Sequence, residues 1–125
     1  MHSLLVMLGG ALGSLARYQF GRLAGHLFGT GWPWGTLGVN IVGGLVMGLL
    51  AGWLARFSTG GGEQIRLLIG VGLLGGFTTF SAFSLETALM IERSLYGNAA
   101  LYALLSVSLS VTALFAGLML MRSLA

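Results

Sequence analysis

GGFTTFSAFSLE, residues 75–86, is the stretch whose reading decides the fold. Two glycines, four hydroxyl residues and three phenylalanines lead to Glu86 within the third long apolar run, where a lipid-embedded helix would be plain Leu, Val and Ile. Gly75 and Gly76 favour a break in the helix, which leaves carbonyls and N–H groups without intrahelical partners. Thr78, Thr79, Ser81 and Ser84 satisfy some of them. Unwound backbone at membrane depth is tolerated only where it is buried in protein or lines a cavity. The stretch therefore predicts a membrane helix broken near its middle, with a site at the break.

The rest of the chain supports a membrane class. Of 125 residues, 7% are charged and 56% hydrophobic, whereas soluble domains carry about 25% charge. Runs 34–55, 67–85 and 94–121 contain no Asp, Glu, Lys or Arg. Each is near or above the roughly 18–20 residues that a spanning helix needs. A fourth run, 3–28, is interrupted only by Arg17 and Arg22. The expected architecture is an all-α membrane protein of one domain, residues 1–125, with spans near 3–28, 34–55, 65–92 and 97–122. Met1, His2 and Ser3 form no basic leader region, so the first run is read as a retained helix. The lack of cysteine excludes disulfides and thiolate metal sites. A pI of 10.2 rests on six scattered arginines that form no patch, which excludes nucleic-acid binding.

The joints are short. Residues 26–33 (HLFGTGWP) hold the single proline, with Trp32 and Trp34 at the expected membrane interface. Residues 56–64 (RFSTGGGEQ) form a glycine-rich turn, and 93–98 (RSLYGN) join the last two spans. With four spans, Arg56, Arg66 and Arg122 share the side of the N-terminus. Arg22 and Arg93 lie opposite, with Arg17 inside the membrane. Orientation follows the Lys/Arg bias of short loops. So even a split leaves two readings open: one weak bias, or insertion in both directions and pairing with an inverted twin.

Gly9, Gly13, Arg17 and Gly21 recur every four residues, as do Asn40, Gly44, Gly48 and Gly52. Small residues at that spacing let membrane helices approach closely. Residues 70–75 (GVGLLG) match a dinucleotide-binding pattern but lack its strand–turn–helix context, so they are read as a packing surface. Arg17 costs at least ~2.5–3.5 kcal/mol in the membrane unless it snorkels or meets water or a partner. Asn40 alone reads as interhelical glue worth ~0.6–2 kcal/mol. Together the two present the N–H donors of an anion vestibule. Tyr102, Ser106 and Ser110 lie at i, i+4 and i+8, one face of a helix, and form either a polar track or separate hydroxyls bonded back to their own backbone. Phe80 and Phe83 are one turn apart. Either they are core residues, or their electropositive ring edges meet an anion. Carbonyls freed at the break, met by those of a twin, would cage a small hard cation.

Four segments resemble the signature segments of the Fluc (CrcB) family of fluoride channels: GGALGSLARY (9–18), GTLGVNIVG (35–43), GGFTTFSAFSLE and the Tyr102/Ser106/Ser110 ladder. The match touches all four expected spans in order. It implies a passive fluoride-selective channel, not an enzyme, in the bacterial plasma (inner) membrane, exporting cytoplasmic fluoride. The form implied is an antiparallel dual-topology homodimer embedded in lipid, with two pores, which would account for the even arginine split. By resemblance, Phe80 and Phe83 are the pore-lining pair, Asn40 a fluoride donor and Arg17 the vestibule arginine. Tyr102, Ser106 and Ser110 form the track, with Glu86 a pore-side carboxylate near Thr36, and the hydroxyls of Thr79 and Ser81 belong to the pore. The carbonyls of Gly75 and Thr78 from both subunits hold a structural Na⁺ at the dimer interface. Position 82 departs from the family pattern, with Ala where Thr is usual, so one hydroxyl beside the phenylalanine pair is missing. The rival reading is a small dual-topology proton-coupled drug exporter. Such a protein needs a titratable carboxylate in its first span, and this one has two arginines and no acid.

Overall fold

The computed structural model describes residues 1–29, 31–57 and 62–124. These residues are helical, with no strand among them. The elements are α1 (His2–Phe28), α2 (Trp34–Phe57), α3 (Gly62–Ile65), a π-helical segment (Arg66–Leu74), α4 (Gly75–Phe77), α5 (Ser81–Glu92) and α6 (Tyr96–Ser123). Of the glycine-rich turn expected over 56–64, residues 58–61 lie outside the described residues, while 56–57 end α2 and 62–64 belong to α3.

Three described stretches are long and apolar enough to cross a membrane: Trp34–Arg56, Gly62–Glu92 and Tyr96–Ser123. The 27-residue α1, about 40 Å long, carries Arg17 and Arg22 and is not among the three.

Local chemistry sets the ends. After α1, Gly29 takes a left-handed φ of 81° and its N–H returns to the Gly25 carbonyl, a glycine C-cap. Pro33 then leads into α2, its carbonyl accepting from Leu37 N–H, where a missing N–H costs nothing. After α5, Ser94 adopts φ 62°. Ser94 N–H reaches the Ile91 carbonyl at 3.0 Å and Leu95 N–H the Met90 carbonyl at 2.8 Å. This paired closure is normally built on glycine, so the joint at 93–98 is a tight turn.

The stretch Gly62–Glu92 is bent, but not at its glycines. Gly75 is fully helical (φ −63°, ψ −37°), and the chain leaves the helix at Thr78 (φ −83°, ψ 160°), re-entering at Ser81. Gly76 serves close packing instead: a Cβ there would lie 2.6 Å from the Gly10 carbonyl oxygen of α1.

The glycine stripes do pack helices. α1 lies along the π-helical segment and α4, while α2 lies along α6. A Cβ on Gly72 would sit 3.0 Å from Gly9 Cα, and one on Gly44 would sit 2.7 Å from the Ser110 carbonyl. The GVGLLG stretch is thus a contact surface against α1. Among the described residues, the large side chains wholly buried are Tyr102 and Val39, while Leu8, Leu12 and Leu15 of α1 and Leu104, Val107 and Phe115 of α6 face outward. An apolar exterior of this kind suits lipid or another chain.

Candidate functional site

The break is held from across the bundle. Thr79 N–H donates to Asn40 Oδ1 at 2.8 Å, and Asn40 Nδ2 donates to the Thr79 carbonyl at 3.0 Å. In an unbroken helix Thr79 N–H would serve the Gly75 carbonyl. Ala82 N–H, which would serve Thr78, donates instead to Thr79 Oγ1 at 3.1 Å. The Thr79 hydroxyl thereby caps α5, with the Ser81 hydroxyl 3.3 Å away. Thr78 Oγ1 and its own N–H both return to the Leu74 carbonyl at 2.9 Å. Gly75 and Thr78, whose carbonyls the resemblance assigns to Na⁺, are thus among the residues at the break whose usual helical donors go elsewhere. Their oxygens fit the hard-donor requirement of such an ion. Arg17 reaches the same region, its Nε donating to the Gly76 carbonyl at 3.2 Å.

A cavity of about 350 Å³ opens beside the break. Asn40, Thr79, Phe80, Phe83, Ser106 and Ser110 line it, with apolar walls from Met47, Leu74 and Leu114. The Ser106 and Ser110 hydroxyls are buried and have no hydrogen-bond partner among the described residues. An orphaned buried hydroxyl costs about 1–3 kcal/mol, and both of these belong to residues that line one cavity.

The aromatic rings continue from the cavity. Phe80 and Phe83 have centroids 5.6 Å apart at 45°. Phe83 stands 5.2 Å from Tyr102, which meets Trp32 edge-on at 5.3 Å. Phe80 is 77% exposed, whereas Phe83 packs on the core of Leu37, Met90, Ala99 and Tyr102. Tyr102 does not line the cavity. Its hydroxyl donates to Glu86 Oε1 at 3.3 Å, and Glu86 lines a separate cleft of about 150 Å³ with Trp32, Arg93 and Asn98.

A further cavity, about 360 Å³, lies on the other side of Thr79. Arg17, Arg22, Gly21, Gly35, Thr36 and Thr79 line it. Thr36 and Ser106 also neighbour the Tyr102 hydroxyl. Thr79 lines both of these cavities and Asn40 the first, so the Asn40–Thr79 clamp stands where the two adjoin. The structure thus gathers Asn40, Thr79, Phe80, Phe83, Ser106 and Ser110 on one side, and Arg17 and Thr36 on the other. Glu86 is set apart at the end of the hydroxyl row. Ser81 joins through the Thr79 hydroxyl.

Three further residues contribute to the site. Gly43 faces the Thr78 side chain, Met47 walls the cavity, and Arg22 shares the Arg17 cavity. Only Arg22 carried a sequence signal, an arginine five residues from Arg17 with no acid between them.

Comparison with known proteins gives a consistent family. The family profile described as CrcB-like protein, Camphor Resistance (CrcB), matches residues 4–118. A protein of Novosphingobium aromaticivorans is 57% identical over 122 residues, covering 96% of this chain and 95% of its own. One from Caulobacter sp. strain K31 is 60% identical over 119 residues, covering 95% and 93%. One from Phenylobacterium zucineum is 61% identical over 119 residues, covering 95% and 94%. Each of the three is named fluoride-specific ion channel FluC.

Proposed function

This chain belongs to the CrcB family, and we propose that it is a fluoride-selective passive ion channel that exports cytoplasmic fluoride across the bacterial inner membrane. The observation that carries this reading is the cavity lined together by Asn40, Phe80, Phe83 and two serines whose buried hydroxyls have no hydrogen-bond partner among the described residues. Fluoride is small and strongly hydrated, so a pore must replace its water with N–H, O–H and ring C–H donors while holding it weakly enough to release it. Asn40 gives one amide hydrogen to Thr79 and keeps a second for an ion. The hydroxyls of Ser110, Ser106 and Tyr102 form a row leading away from the cavity, and no cationic side chain lines that cavity to trap an anion.

The functional form proposed is an antiparallel dual-topology homodimer with two pores, in which α1 is a fourth span and each subunit is one domain. The exposed Phe80 ring and the apolar exterior support a second copy. A Cβ on Gly75 would meet only the Gly70 carbonyl, at 3.9 Å, among the described residues, so that face of the break is open to a partner. One chain offers the Gly75 and Thr78 carbonyls, and two inverted chains would double them around a structural Na⁺. The drug-exporter reading lacks its carboxylate: α1 has no acid, and Glu63 is paired with Arg66 at 2.7 Å.

The test is efflux from liposomes holding the purified protein. Fluoride should leave rapidly down its gradient, and chloride under the same conditions should be retained. Absent fluoride efflux, or equal chloride efflux, would overturn the reading.

A further inference from the structure

Arg22 has no hydrogen bond or ion pair among the described residues, yet it lines the same cavity as Arg17. It follows Arg17 by five positions on α1, about 7.5 Å along the axis. Arg17 is half-buried and tied by Nε to the Gly76 carbonyl, while Arg22 is an exposed residue of the cavity wall, five positions nearer the end of α1. The cavity lining includes no carboxylate. The three acids of the chain lie elsewhere: Glu63 is held by Arg66, Glu86 lines the cleft with Arg93, and Glu92 ends α5. The space itself depends on two residues without side chains. Gly21 and Gly35 both line it, at a point where α1 and α2 are so close that a Cβ on Gly35 would lie 3.1 Å from Gly21 Cα.

We infer that Arg22 is a second anion-gathering residue, one that positions fluoride in the outer cavity ahead of Arg17 and the Asn40–Thr79 clamp. This rests on the fluoride-channel reading. Two like charges in a cleft with low-dielectric walls focus the field and raise the local concentration of small anions. Because Arg22 is exposed, its contribution is screened by salt, with a Debye length of about 10 Å at 0.1 M and about 3 Å at 1 M. The plainer role is an arginine that snorkels to lipid headgroups from six residues below the end of α1, about 9 Å. The two roles differ in salt dependence.

The experiment reconstitutes Arg22→Gln, Arg22→Lys and wild type, and follows fluoride efflux at subsaturating fluoride. Potassium isethionate sets ionic strength near ~10 mM or ~500 mM. At low ionic strength Arg22→Gln should run about three- to tenfold slower than wild type, and at high ionic strength the gap should shrink below about twofold. Arg22→Lys should restore most of the flux, and saturating fluoride should bring all three together. Equal flux of Arg22→Gln and wild type at low ionic strength would overturn the inference. So would a deficit of the same size at both ionic strengths, which is the mark of a structural role. If Arg22→Gln does not purify folded, Arg22→Leu, better accepted in lipid, carries the same comparison. Wild-type liposomes without fluoride efflux would instead sink the channel reading itself.

Discussion

The Asn40 side-chain amide grips both backbone groups of Thr79, accepting from its N–H at 2.8 Å and donating to its carbonyl at 3.0 Å. A helix that stops inside a membrane leaves polar groups with no water to bind. Here one amide from α2, 39 positions earlier in the chain, takes over for the residue at the centre of the break. The same contact diverts the Thr79 N–H from the Gly75 carbonyl and stands where the two cavities adjoin.

Asn40→Ala should therefore do two things. It orphans the Thr79 N–H and carbonyl, which should lower stability by about 1–3 kcal/mol, seen as a lower melting temperature in detergent. It also removes a donor where the two cavities adjoin, so fluoride efflux should fall by an order of magnitude or more. Unchanged melting and flux would show the clamp to be dispensable.

Ser106→Ala and Ser110→Ala should separate stability from function. Neither hydroxyl has a partner among the described residues, so its removal orphans nothing and should leave the melting temperature equal or higher. If the hydroxyls solvate the ion, flux should drop in each single variant and further in the double. A double variant with wild-type flux would remove this row from the ion path.

Phe80 and Phe83 should respond differently to Phe→Ile. Phe83 loses its contacts to Tyr102 and Phe80, worth about 0.5–1.5 kcal/mol each, and should melt earlier. Phe80, 77% exposed in the single chain, should cost little within it. Fluoride flux should collapse in both, because isoleucine keeps apolarity but has no ring edge. Phe→Met should be intermediate, since a polarizable thioether fills irregular space. Near wild-type flux in folded Phe80→Ile and Phe83→Ile would reduce both rings to packing.

The proposed Na⁺ contact uses carbonyls, so side-chain removal should spare it. Thr78→Ala deletes a hydroxyl bond to a Leu74 carbonyl already held by the Thr78 N–H, and should keep both fold and ion. Gly75→Leu meets little within the chain, and its effect should appear as loss of the dimer in light scattering. Replacing Na⁺ by N-methylglucamine should lower wild-type dimer stability in the same way. No effect of either would remove the ion from the account.

Two added lysines in the joint at 93–98, placed away from left-handed Ser94, should force one orientation and abolish efflux. An oppositely biased partner should restore it. Full activity from a chain shown to insert one way would exclude the inverted dimer.

Some of this was legible in the residues alone. Charge-free runs are long because lipid solvates no charge, and glycines recur every four residues because that places them on one face. These local rules determined three of the spanning stretches, the α1 and α2 packing stripes, and the presence of a break in Gly62–Glu92. The location of the break was another matter. Gly75 and Gly76 favour a break by conformational freedom, yet Gly75 stays helical, Gly76 packs so closely on α1 that no side chain fits there, and the chain unwinds at residues 78–80 instead. That choice depends on which acceptor captures the Thr79 N–H, and the acceptor is Asn40 on another helix. The same holds for Arg22, whose place beside Arg17 depends on the close approach of Gly21 to Gly35, and for Tyr102, which is buried by Trp32 and Phe83. Spacing along one helix reports which side chains share a face. What that face meets, and which polar groups find partners there, was decided only when residues far apart in sequence packed together.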